Sequence, residues 1–141
     1  MFNVKILTIR KQKELWLQKA IDEYEKRISG TMKITWKFAK DDKQLQDFAL
    51  KEQKYICLDS SGKMFSSINF SKHLIEVLTN SKSHLTIIIG GAEGIPSSIL
   101  SQADEIWSLS QMTFTHQIVR LILLEQLYRA LEIDKGSGYH K

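Results

Sequence analysis

The sequence predicts a single α/β domain built on a mainly parallel sheet, and three observations carry that expectation. Apolar alternation and helical spacing take turns along the whole chain. No Pro-, Gly- or Ser-rich linker and no internal repeat divides the 141 residues. One stretch, residues 85–89, is apolar without alternation, as a central strand covered on both faces must be.

Around Val4 and Ile6 the chain reads as a first strand, and after Arg10 the spacing turns helical, with Leu17, Ile21, Tyr24 and Ile28 on one face and Gly30 as the stop. Residues 32–38 alternate as a half-buried second strand, and Leu45, Phe48 and Ala49 suggest a short amphipathic helix. Residues 55–59 are a third strand, closed by turn chemistry at 60–63. Leu74, Ile75 and Leu78 then mark a helix that breaks at 80–83. The central strand 85–89 runs into Gly90, Gly91, Ala92, Glu93 and Gly94. A helix is expected near Pro96, a fifth strand over 105–110 and a long last helix over 115–133. That helix is apolar nearly all round, which implies burial on more than one side, either within the chain or against a second subunit.

Composition narrows the function classes. With 43% hydrophobic and 26% charged residues the chain is of ordinary globular type, and scaling predicts that about two thirds of its surface is buried. A lone cysteine, Cys57, allows no internal disulfide, and no His/Cys cluster has zinc spacing, so a cytoplasmic setting without metal is expected. No apolar run is long enough to span a membrane, and the first ten residues lack the features of a signal peptide. The net charge of +4 fits a polyanionic partner without establishing one; residues 1–54 hold 13 Lys/Arg against 8 Asp/Glu, and the remainder 7 against 8. That surplus is either a nucleic-acid grip or a solvated surface.

In a parallel sheet, ligands bind beyond the carboxyl ends of the strands, which selects the loops after Leu58, Ile89 and Leu109. The glycine loop lets a ligand approach the backbone, or is a tight strand-to-helix turn; it matches neither the dinucleotide nor the Walker pattern. Residues 108–116 are rich in hydroxyls, and Thr115 is a candidate N-cap. His116 and Arg120 are four apart and share a face with Leu124, Leu127 and Leu131, so Arg120 is a cation on an apolar stripe that needs a partner or a task. Arg129 is placed to pair with Glu125 or to serve function. Tyr139, His140 and Lys141 end a glycine-flexible tail with groups suited to stacking, proton transfer and phosphate contact. His73, His84 and Cys57 read as structural.

Together, the glycine loop 90–94, the segment 108–117, Arg120, the run Glu125 to Ala130 and the terminal Tyr139, His140 and Lys141 closely resemble the ribosomal RNA large subunit methyltransferase H family of the SPOUT superfamily. The likeness covers essentially the whole chain. It implies a SPOUT domain with a C-terminal trefoil knot, acting as a homodimer. It also implies an enzyme that uses S-adenosylmethionine to methylate N3 of a pseudouridine in 23S rRNA. The family's cofactor site falls on Leu58, Gly90, Leu109, Ser110, Gln111, Met112, Thr113 and Phe114. The catalytic candidates beside it are His116, Arg120, Arg129, Tyr139 and His140, of which the resemblance bears most on the tail, and neither spacing nor chemistry calls for a metal. Here His116 or His140 is the candidate for removing or orienting the proton, Tyr139 for stacking on or hydrogen-bonding the base, and Arg120, Arg129 and Lys141 for holding phosphate or developing charge. The chain departs from the family at Thr115, where proline is common, in the short connection after the second strand, and at Arg10, where glycine is usual. A related transfer-RNA methyltransferase and a non-catalytic RNA-binding or ribosome-assembly protein are the alternatives.

Overall fold

In the computed structural model, which describes residues 1–141, five strands and five helices alternate along the chain. They are β1 (Phe2–Ile9), α1 (Leu15–Ile28), β2 (Met32–Ala39), α2 (Asp42–Leu50), β3 (Ile56–Met64), α3 (Ser67–Asn80), β4 (His84–Ile89), α4 (Ser97–Leu100), β5 (Glu105–Ser108) and α5 (His116–Lys135). Every strand pair is parallel, in the order β2-β1-β4-β3-β5.

Alternate residues of each strand feed two apolar layers. Val4 and Ile6, Ile56 and Leu58, Ile87 and Ile89, and Trp107 join Leu17, Ile21, Leu74, Leu78 and Leu124, so α1, α3 and α5 cover one face. Leu7, Cys57 and Ile88 point the other way, onto Leu45 and Ala49 of α2 and Ile99 of α4. β4 has five of its six residues buried, as its unbroken apolar run predicted. Cys57 lies in the core, and burial pushes its thiol up to about 12, leaving an inert small hydrophobe.

Three boundaries differ from the sequence reading by two residues or more, each for a local reason. The turn residues after Asp59 do not end the third strand, which continues to Met64 through a bulge. The β5 partner Trp107 faces Leu58 and then Lys63, so residues 59–62 loop out of the ladder. Gly62 makes this feasible, because a Cβ there would lie 2.4 Å from the Ile106 carbonyl oxygen. The fifth strand stops at Ser108, where local bonds replace the ladder: the Ser108 hydroxyl donates to the Ser110 carbonyl, and Ser110 Oγ accepts from the Met112 N–H. The last helix begins at His116 with Thr115 as its N-cap, Oγ1 accepting from Ile118 N–H, and runs two residues past Ile133 to Gly136 (φ 70°).

Candidate active site

The carboxyl ends of β3, β4 and β5 open onto one cleft of about 780 Å³. Leu58, Asp59 and Ser60 line it from β3 and its bulge; Ile89, Gly90, Gly91, Gly94 and Ile95 from β4 and the glycine loop. The segment after β5 supplies Leu109, Ser110, Met112, Thr113, Phe114 and Thr115, and the first turn of α5 supplies His116 and Gln117. Of the eight residues expected at a cofactor site, seven line this cavity. Gln111 does not; it is exposed beside it.

Gly90 is buried at the floor, and a Cβ there would sit 2.4 Å from the Gly94 carbonyl carbon and 2.6 Å from Ile95 N. Only glycine lets the loop fold back on the strand end, which brings backbone groups rather than side chains to the cavity wall. Met112 is 75% exposed and Phe114 37%, so apolar surface rims the opening.

Sequence reasoning missed two polar groups. Asp59 is the single carboxylate on the lining, its Oδ2 accepting from the Ser61 N–H at 3.0 Å. It was hidden because its strand seemed to end there in an ordinary turn. Gln117 has a buried Oε1 with no partner, an acceptor in want of a donor. No group of three or more His, Cys, Asp or Glu side chains could hold a metal ion.

Arg120 is fully buried. Nη1 donates to Gln12 Oε1 at 2.9 Å, while Nη2 donates to the Ile9 carbonyl at 2.5 Å and lies 3.4 Å from Thr8 Oγ1. The task that its apolar stripe demanded is thus to tie α5 to the end of β1, with no carboxylate opposite. Burial lowers its pKa to about 10, which leaves it charged at neutral pH. Nη1 and Nη2 thus face the loop after β1 and the end of β1, while Nε is buried without a partner.

His116, one turn earlier, has its pKa lowered by burial and then by the Arg120 charge. The folded chain therefore gives up the His116 proton at a lower pH than the unfolded chain does. Between that lower value and about 6.5 the unfolded state binds more protons, so stability rises with pH through this window. A His116→Asn variant is expected to flatten that part of the profile, read as denaturant midpoints at about pH 7.5 and about pH 5.5.

Arg129, Tyr139 and His140 form a second cluster. Arg129 pairs with Glu125 at 2.7 Å, as the i,i+4 spacing suggested, and its guanidinium lies 4.8 Å from the Tyr139 ring centroid. It also donates to His140 Nδ1 at 3.1 Å, and Tyr139 packs edge-on against Tyr128 at 4.8 Å. At a rise of about 1.5 Å per residue, the helix advances roughly 20 Å from His116 to Arg129. The chain therefore gathers the cleft residues in one place and the tail residues in another.

The parallel α/β sheet and the cleft at its strand ends, lined by the segment before the last helix, fit one class of enzyme. It is that of the SPOUT methyltransferases: the family model described as "Predicted SPOUT methyltransferase" matches residues 2–140. The chain belongs to the ribosomal RNA large subunit methyltransferase H family. It is 47% identical over 141 residues to the protein of that name from Protochlamydia amoebophila, covering the whole of both chains. It is 36% identical over 160 residues to that of Desulfitobacterium hafniense, again covering both completely, and 34% identical to that of Clostridium acetobutylicum over 99% of each. Among solved structures, a probable methylase family protein of Haemophilus influenzae aligns with a TM-score of 0.59 at 9% identity, over 99% of this chain and 71% of that one. A probable methyltransferase of Bordetella pertussis aligns with 0.58 at 9% identity, over 92% and 96%. At that identity the likeness is one of fold.

Proposed function

We propose that this chain methylates N3 of a pseudouridine in 23S rRNA, with S-adenosylmethionine as donor and a homodimer as the working unit. The observation that carries the reading is the 47% identity, end to end, to a relative named for large-subunit rRNA methylation. The cleft agrees with a donor of this kind. Gly90 opens a backbone-lined floor, Phe114 and Met112 offer apolar cover, Gln117 Oε1 awaits a hydrogen-bond donor, and Asp59 provides negative charge near a cation. Leu58, Gly90, Leu109, Ser110, Met112, Thr113 and Phe114 would hold it, and Gln111 would flank it. S-adenosylmethionine, when bound, supplies a methyl group on a sulfonium, whose transfer releases a neutral thioether.

The chain's own residues then have two tasks. N3 is a weakly acidic imide nitrogen, so its proton must leave as the N–C bond forms and the C–S bond breaks. His116, kept neutral by burial and Arg120, is an acceptor on the cleft wall. His140 is the alternative: its Nδ1 accepts from Arg129 here and takes the proton of the base once it leaves that partner. The second task is alignment, which alone supplies several kcal/mol; Tyr139 stacks on the base, and Arg129 and Lys141 hold phosphate. Arg120 acts as a positioning residue, fixing the His116 turn against β1.

Since roughly 20 Å of helix separates the tail from its own cleft, the tail serves the cleft of a second subunit. The half-exposed apolar residues Ile118, Leu121 and Ile122 of α5 favour such pairing. The same reading places a trefoil knot in the last third of the chain, where residues 109–117 return from the edge strand β5 to close over β3 and β4. No helix is long and apolar enough to cross a membrane; the proposed substrate, 23S rRNA in ribosomes, is what puts the enzyme in the cytoplasm on this reading.

The test is transfer of a labelled methyl group from S-adenosylmethionine to assembled ribosomes, free 23S rRNA and transfer RNA, with the modified nucleotide mapped. Label on one pseudouridine of 23S rRNA is expected. Label on transfer RNA alone overturns the substrate, and donor binding without transfer to any RNA assigns the chain to the non-catalytic class.

A further inference from the structure

We infer that the loop between β1 and α1, together with the start of α2, forms a basic rim that grips the phosphodiester backbone of the RNA beside the cleft. This rests on the reading of rRNA as substrate and adds to it a place and a set of residues.

The rim lies at the carboxyl edge of the sheet, the edge that bears the cleft. Ile9 and Ala39 are register partners at the ends of β1 and β2, and the Arg10 N–H donates to the Ala39 carbonyl. Arg10, Lys11, Lys13, Lys40 and Lys43 project from this edge, all exposed and none ion-paired to a carboxylate. Glu14, Asp41 and Asp42 are the acidic residues of the same segments, and Asp41 is engaged in capping α2, accepting from the Gln44 N–H. Continuity with the cleft is direct: a Cβ at Gly91, a lining residue, would lie 3.2 Å from the Ile9 side chain.

The loop is also built to hold its shape. Arg10 adopts φ 54°, left-handed backbone that a non-glycine residue enters at a cost, and its Nε donates to the Lys40 carbonyl at 3.3 Å. Gln12, between two outward lysines, is buried; it accepts from Arg120 and donates to Gln18 Oε1. A buried anchor flanked by exposed cations fixes where the charges point, and phosphate contacts of this kind set the register of RNA on a protein. Arg120 thus braces both the His116 turn and the rim.

Neutralising Lys11, Lys13 and Lys40 together to Gln tests this against a control of equal charge change, Lys33→Gln, Lys54→Gln and Lys82→Gln, at the opposite edge of the sheet. Binding of each full chain to 23S rRNA is measured across a salt series, with S-adenosylmethionine affinity as the check on folding. For the rim variant, the slope of log K against log salt becomes shallower by roughly two to three. Affinity falls roughly ten- to a hundredfold at physiological salt, the control stays near the parent, and donor affinity is unchanged in both. Equal losses in rim and control variants reduce the effect to net charge and overturn the proposal. A rim variant that binds like a parent able to methylate rRNA overturns the rim alone. A parent that binds no rRNA overturns the rim together with the reading beneath it.

Discussion

Deleting residues 139–141 should abolish methyl transfer, lowering turnover roughly a thousandfold or more, while S-adenosylmethionine binding changes by no more than about twofold. No tail residue lines the cleft of its own chain, and at the partner's cleft the tail is assigned to the base rather than to the donor, so the donor should not sense the loss. The truncated chain keeps Gly136 as the helix stop and the Arg129–Glu125 pair, so α5 ends as before. What disappears is the stacking ring, an imidazole and a terminal cation. Single-turnover transfer to rRNA measures the first effect, and calorimetric titration with the donor the second. Parallel loss of both would make the tail a structural element; unchanged turnover would remove it from the mechanism.

The second large effect is expected from Gly90→Ala. The new methyl would meet the Gly94 carbonyl carbon at 2.4 Å, Ile95 N at 2.6 Å and the Gly94 carbonyl oxygen at 2.7 Å. These are backbone atoms that cannot rotate aside, so the loop itself must move. Overpacking of this kind costs about 1–3 kcal/mol of stability. Donor affinity should drop on the order of a hundredfold, about 2.7 kcal/mol, because the displaced loop forms one wall of the cleft. A thermal melt beside the donor titration separates the two consequences. A destabilised variant that still binds the donor normally would show that the loop is only a turn.

Much of this architecture was legible in the sequence because the sheet is parallel. Strands buried on both faces read as apolar runs, and the rule that ligands bind at carboxyl ends selected the loops after Leu58, Ile89 and Leu109, all of which meet at the cleft. The β3 bulge was hidden, since a Ser-Ser-Gly sequence is the same chemistry whether it ends a strand or interrupts one, and only the tertiary partner Trp107 decides. The role of Arg120 was half visible. Its position on an apolar stripe signalled an unmet demand, but its partners Thr8, Ile9 and Gln12 come from the other end of the chain, beyond any local pattern. The separation of the tail from the cleft follows from helix length, which the sequence supplied, and from the tail packing onto Tyr128 and Arg129, which it did not.

The Arg120 brace also sets an order on biosynthesis. Its hydrogen bonds join residues 108 to 112 positions apart, and the cleft wall at His116 rides on the same helix. A nascent chain can pair β1 with β2 as soon as residue 39 is clear of the tunnel, but the brace must wait for α5, and loop closure over such a span makes that step slow. Until α5 lands, Gln12 Oε1 lacks its Arg120 donor, and of the side-chain contacts of Gln12 only the one to Gln18 is within reach. The cleft wall at His116 therefore sets only after the helix that carries Arg120 has left the tunnel and found the first strand.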